Sequence, residues 1–140
     1  MQIVFNLPYV FHPASSRVDN AYALRALLDC MIELNLAFLR CHSVPALYRS
    51  GVVYGRTDEW EPIGALYQRG YGDCKSLATA LIAEYRLQKK IAEPTFRWVR
   101  NDDGSTDFHI LVQTPQGFED PSKELGMGAE EVSKFYGPQR

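Results

Sequence analysis

Long hydrophobic runs are missing from this 140-residue chain. Its longest apolar region, Ala21 to Leu39, is interrupted by Arg25, Asp29, Glu33 and Asn35. No segment of about 20 apolar residues is there to cross a bilayer. Blocks of like charge are missing too. With 15 basic and 17 acidic residues the net charge is −2, which argues against nucleic-acid binding through a basic patch and against a polybasic membrane contact. Met1 to Pro8 has no basic lead-in, and its apolar stretch is too short for a signal peptide. Cysteine is scarce: Cys30, Cys41 and Cys74 are an odd number with no close pair. A disulfide scaffold is excluded, and the expectation is free thiols in a reducing, cytoplasmic compartment. Repeats and low-complexity segments are also lacking, so residues 1–140 read as one domain. Its 46% apolar content is enough for a core.

The chain has two strong helical patterns. Leu24, Leu27, Leu28, Met31, Leu34 or Asn35, and Phe38 recur at helical spacing between Asp19 and His42, with Arg25, Asp29 and Glu33 opposite. Cys74, Leu77, Ala78, Leu81, Ile82 and Tyr85 form a second apolar stripe. Asp73 is its natural N-cap, and Lys89 and Lys90 are expected at its C-terminal end. Weaker signals predict strands at 2–7 and 52–54 and a short helix at 62–68 behind Pro62. After Pro94 the period changes to 2, through Phe96 and Trp98 and again through Asp107 to Gln113. Thr114-Pro-Gln-Gly117 fits a type I turn leading to a third strand at Phe118. Helices before an antiparallel meander predict the α+β class.

Cys74 occupies a chemically loaded position, behind Gly70 and Gly72, next to an N-cap and in the first turn of a helix. Helix N-termini stabilise the nucleophilic thiolate. Lys75 assists, while Asp73 opposes unless its charge is spent on capping. The two glycines suit close approach of a substrate carbonyl. The plain alternative is that Cys74 is only the first packing residue of the apolar stripe.

His109 and Asp120 add to the chemical reading. On the strand 107–113, His109 shares a face with Leu111 and Gln113. A hairpin pairing Thr114 with Gly117 sets Asp120 opposite Leu111, one diagonal step from His109 and within side-chain reach. A carboxylate there can hold one imidazole nitrogen and leave the other for a thiol. Nucleophile, base and orienting group in this arrangement are what an activated thiol needs.

Gly70-Tyr-Gly-Asp-Cys-Lys-Ser-Leu-Ala78, followed by Phe108-His109 and then Asp120, resembles the Cys-His-Asp core of the transglutaminase-like superfamily of papain-like cysteine enzymes. The likeness runs from Trp60 to Asp120. The upstream stretch Pro45 to Val52 with Trp60 is similar to short bacterial or bacteriophage-encoded members. The resemblance implies one transglutaminase-like domain, its N-terminal helices packed on a small antiparallel sheet. It implies Cys74 as nucleophile, His109 as general base and acid, and Asp120 as the orienting carboxylate, acting on amide or thioester carbonyls of a protein or peptide. This sequence holds none of the larger enzymes' flanking β-domains and no calcium-loop pattern, which argues against a calcium-activated cross-linker.

The Cys74 N–H supplies one oxyanion donor, and Gln68 or Trp60 is the candidate for the second. Hydrolysis and transfer to an amine both remain open. So does a non-catalytic structural or binding module, such as a bacteriophage morphogenesis component with a particle or assembly partner. Cys30 and Cys41 are expected to pack rather than react. A zinc site from His12, Cys41 and His42 lacks a fourth ligand and short ligand spacing. Gly70-Tyr-Gly72 lacks the lysine and spacing of a phosphate loop. No cofactor is expected.

Overall fold

The computed structural model describes residues 17–137. The strand expected at 2–7 and the histidine at position 12 lie outside the described residues. The remainder is mixed helix and strand. It begins with α1 (Arg17–Cys41), a 3-10 turn (Leu47–Arg49), β1 (Val53–Tyr54), α2 (Ile63–Arg69), β2 (Tyr71–Gly72) and α3 (Cys74–Leu87). It continues with β3 (Glu93–Arg100), β4 (Thr106–Thr114), β5 (Gly117–Glu119), α4 (Pro121–Glu124) and α5 (Ala129–Tyr136). No described helix is long and apolar enough to cross a membrane.

α3 is the centre of the domain. Every residue from Ser76 to Ala83 is buried, so the helix is covered on all sides and not along one stripe. It packs against α1 on one side and β4 on the other. Leu77, Ala78 and Ile82 from α3 meet Leu28, Ile32 and Leu36 from α1 in one core cluster. Each fully buried Leu or Ile contributes about 1.5–3 kcal/mol relative to exposure. The expected choice between Leu34 and Asn35 falls to Asn35, which is fully buried while Leu34 is 46% exposed. The reason is polar: Asn35 Oδ1 accepts the Ile63 N–H at 2.8 Å. It thereby satisfies a free donor at the start of α2, where Pro62 offers no side-chain cap.

Two small sheets flank this core. β1 and β2 pair in parallel, Val53 opposite Tyr71. β3, β4 and β5 form the antiparallel meander. The register of its last hairpin is the expected one, with Thr114 opposite Gly117 and Val112 opposite Glu119. At the C-terminal end of α3 the expectation is corrected. The helix stops at Leu87 and Lys89 turns into the left-handed region with φ 63°. Lys89 and Lys90 therefore lie beyond the helix, and Arg86 is its last-turn cation.

Beyond Glu119 the chain returns to helix, which the periodicity did not predict. Asp120 ends the strand by capping α4, with Pro121 at its first position. Met127 and Val132 anchor the following segment in the interior, and α5 comes to rest against β3.

Candidate active site

Cys74 is the first residue of α3, because Asp73 caps the helix by accepting the Lys75 N–H at 3.3 Å. The Asp73 carboxylate is also paired with the Lys75 ammonium, which donates to Thr57 O at 2.7 Å and lies 5.9 Å from the Trp60 ring centre. Lys75 is thus turned toward Asp73 and the 57–60 loop. The Ile110 backbone N–H, on the peptide that joins Ile110 to His109, acts on the Cys74 sulfur in the sense that favours thiolate. Burial, with a smaller contribution from Asp73, pushes the thiol up to about 12, against the pull of the Ile110 N–H and Lys75. The helix terminus expected to favour thiolate is present, but loss of water outweighs it. The resting group is a neutral thiol.

His109 lies on β4, opposite Arg97 in register, and is 2% exposed. Its Nε2 is 2.8 Å from Asp120 Oδ2, leaving Nδ1 as the nitrogen not taken by the carboxylate. Phe135 stacks on the imidazole with ring centres 5.0 Å apart. Tyr136 meets it edge-on at 6.3 Å and donates its hydroxyl to the same Asp120 oxygen at 2.5 Å. The other Asp120 oxygen accepts the Ser122 and Lys123 N–H groups at 3.0 and 3.2 Å. Burial alone would raise this carboxyl, but its bonds from His109, Tyr136 and the α4 backbone outweigh that and hold it below the ordinary range. Asp120 is therefore anionic at neutral pH.

Cys74 and His109 line one cleft of about 900 Å³, together with Trp60, Phe108, Ile110 and Phe135. Its rim is charged. Arg56 and Glu131 approach at 3.9 Å, Tyr54 donates to Glu131, and Lys134 pairs with Asp107. Of the two candidate second donors, Trp60 lines this cleft; Gln68 is exposed near the end of α2 and does not. The glycines have roles in the path of the chain. Gly70 closes α2 with φ 84°. Gly72 lets the chain pass Leu66, whose Cδ1 would lie 2.5 Å from an added Cβ. Neither lines the cleft.

Cys30 and Cys41 are both exposed, contrary to the expectation that they pack. Cys30 lies beside Asp29, on the face of α1 turned from Leu28 and Ile32. His42 stacks on Phe38 at 4.3 Å. Among the described residues no group of three His, Cys, Asp or Glu side chains is placed to hold a metal ion.

Phe135 and Tyr136 are the site residues the sequence reading missed. Val132, Phe135 and Tyr136 stand at i, i+3 and i+4, a helical apolar face that was the available signal. The Ile110 N–H had none, since any residue on a strand carries one. No family model matches the chain, and no match is found among curated proteins or solved structures.

Proposed function

We propose that the protein is a cysteine hydrolase or acyl transferase acting on amide bonds of a peptide or protein, built on a transglutaminase-like, papain-like core. Cys74 is the nucleophile, His109 the base and then the acid, and Asp120 the group that orients the imidazole. One observation carries this reading: Asp120 occupies Nε2 of His109, and Cys74 lines the same cleft as His109.

The raised thiol selects general-base attack over a standing thiolate–imidazolium pair. As sulfur bonds to the substrate carbonyl carbon, His109 Nδ1 takes the thiol proton. Asp120 then faces an imidazolium. The tetrahedral intermediate collapses, the C–N bond breaks, and His109 returns the proton to the leaving amine. The acyl-thioester on Cys74 is cleaved by water, which gives its proton to His109 and releases acid and thiol. A primary amine in place of water gives transfer. The Cys74 N–H and the Trp60 indole are the proposed donors to the developing oxyanion.

An acyl-type activity probe, followed by mapping of the labelled peptide, tests the proposal. Cys74 carries the label, and Cys74→Ala abolishes it while the fold persists. A labelled amine supplied with an acyl donor then separates transfer from hydrolysis. The raised thiol of the half-buried Cys74, packed against the core, favours a second reading, a non-catalytic structural or binding module in which Cys74 packs. Absence of labelling together with a strong loss of stability in Cys74→Ala establishes that reading instead.

A further inference from the structure

We infer that Tyr136 is a positioning residue: through the Asp120 oxygen that also holds His109, it sets how much carboxylate charge the imidazole meets. The inference rests on the proposed roles of His109 and Asp120. Its observations are geometric. Asp120 divides its oxygens, Oδ1 to the α4 backbone and Oδ2 to two donors, His109 Nε2 at 2.8 Å and the Tyr136 hydroxyl at 2.5 Å. An O–H···O⁻ contact of that length is a strong, charge-assisted bond.

The phenol is itself held by cations. The Arg97 guanidinium lies 4.1 Å and the Lys123 ammonium 4.4 Å from its ring centre. Positive charge so close stabilises the phenolate relative to the phenol, which makes the O–H more acidic and a stronger donor. Arg97 comes from β3, Lys123 from α4 and Tyr136 from α5, while Cys74 of α3 lines the same cleft as His109. Lys134 of α5 is engaged with Asp107 of β4.

The consequence is chemical. An imidazolium opposite a carboxylate with no other donor is stabilised strongly and gives up its proton reluctantly. The phenol shares the same oxygen and tempers that stabilisation, so His109 can both take the thiol proton and return it to the leaving amine. Tyr136 keeps its own proton throughout, since burial and the Asp120 bond raise its pKa.

Tyr136→Phe isolates this role, because it keeps the ring, its cation contacts and its edge against His109. Imidazole NMR titration is the main readout, and the pH profile of turnover is the second. The acid limb of the turnover profile is expected to move to higher pH, and the pH dependence of the His109 resonances to move with it. A purely structural tyrosine lowers the melting temperature but leaves the titration in place, and that result overturns the inference. Titrating His109 in Cys74→Ala and in the Cys74→Ala, Tyr136→Phe double variant separates the two readings. A shift between them without turnover in the unmodified protein upholds the role of Tyr136 and refutes the enzyme; turnover with no shift does the reverse.

Discussion

Asp120 is the residue on which fold and proposed chemistry most depend, and Asp120→Asn is the sharpest perturbation of it. In the unmodified protein the carboxylate receives four hydrogen bonds, two on each oxygen. Asparagine keeps one oxygen, enough to cap α4. Its amide NH₂ then faces Nε2 of His109 and the Tyr136 hydroxyl. The phenol can rotate and accept. The imidazole can keep a bond only by moving its proton to Nδ1, the nitrogen proposed to accept from the thiol. Two charge-assisted bonds, worth about 1.5–3 kcal/mol each, are thus replaced by weaker neutral ones, for a net loss of about 2–3 kcal/mol. Asp120→Ala removes the cap as well and strands two donors in the interior, at about 3–7 kcal/mol. That is enough to unfold a domain at the lower end of the usual range of about 5–15 kcal/mol, so Asn is the more informative variant.

Urea unfolding followed by Trp60 and Trp98 fluorescence gives the stability of both proteins from neutral pH down to about pH 3. The Asp120 carboxyl is held below its ordinary 3.8 in the folded protein. Its stabilisation is therefore complete above 3.8 and is lost as the pH falls through the lower folded value. The gap between wild type and Asp120→Asn should be full at neutral pH and close below 3.8, where a protonated Asp120 resembles the amide. Turnover at neutral pH should fall on the order of ten- to a thousandfold, less than a serine triad loses, because a thiol needs less help. Glu119→Gln is the control: Glu119 accepts from Tyr48 and Tyr85 at 2.9 and 2.7 Å, away from His109, and should leave turnover intact. Equal stability at neutral pH, or a gap that stays constant below pH 3.8, would refute the argument.

The remaining expectations are simpler. Alkylation of Cys74 by iodoacetamide, read on its own peptide by mass spectrometry, should keep accelerating past pH 9 toward 12. A plateau near neutral pH would reveal a standing ion pair and overturn the general-base mechanism. Gly72→Ala drives a methyl to 2.5 Å from Leu66 Cδ1. It should cost about 1–3 kcal/mol in thermal or urea unfolding. Gly70→Ala meets no neighbour within 4 Å, and its cost of about 1–2 kcal/mol is left-handed backbone strain alone.

Much of this arrangement could be read from the chain, for physical reasons. The hairpin register followed from one turn, Thr114 to Gly117. With a side-chain period of 2, fixing that turn fixed the His109–Asp120 pairing. The Asp73 cap was equally local. The state of the thiol was not, because desolvation depends on how α3 is enclosed by α1 and β4, and no spacing reports that. Asp120-Pro121 carries the signal for the α4 start, but the strand pattern beginning at Phe118 runs straight into it, and Asp120 caps a helix where a strand is expected. Leu34 and Asn35 were ambiguous because a buried amide is favoured only when a partner waits, here the Ile63 N–H some 28 residues away.

The last wall of the cleft is also its least secured. α5 contributes Glu131 and Phe135 to the lining, yet Val132 is its only buried residue. At 8 residues it is shorter than the 12–15 or so at which an isolated helix becomes even marginal. Much of its hold is polar: Lys134 to Asp107, Tyr54 to Glu131, Tyr136 to Asp120, and the Arg97 guanidinium on Phe135 O at 2.9 Å. Such a unit opens at a small fraction of the global unfolding free energy. Its amides exchange with solvent well before those of Ser76–Ala83, and added salt loosens it without touching the core. Each opening strips His109 of its stacking partner and Asp120 of one donor. Hydrogen exchange of the α5 amides measured at low and high salt is expected to show that opening as a salt-dependent loss of protection.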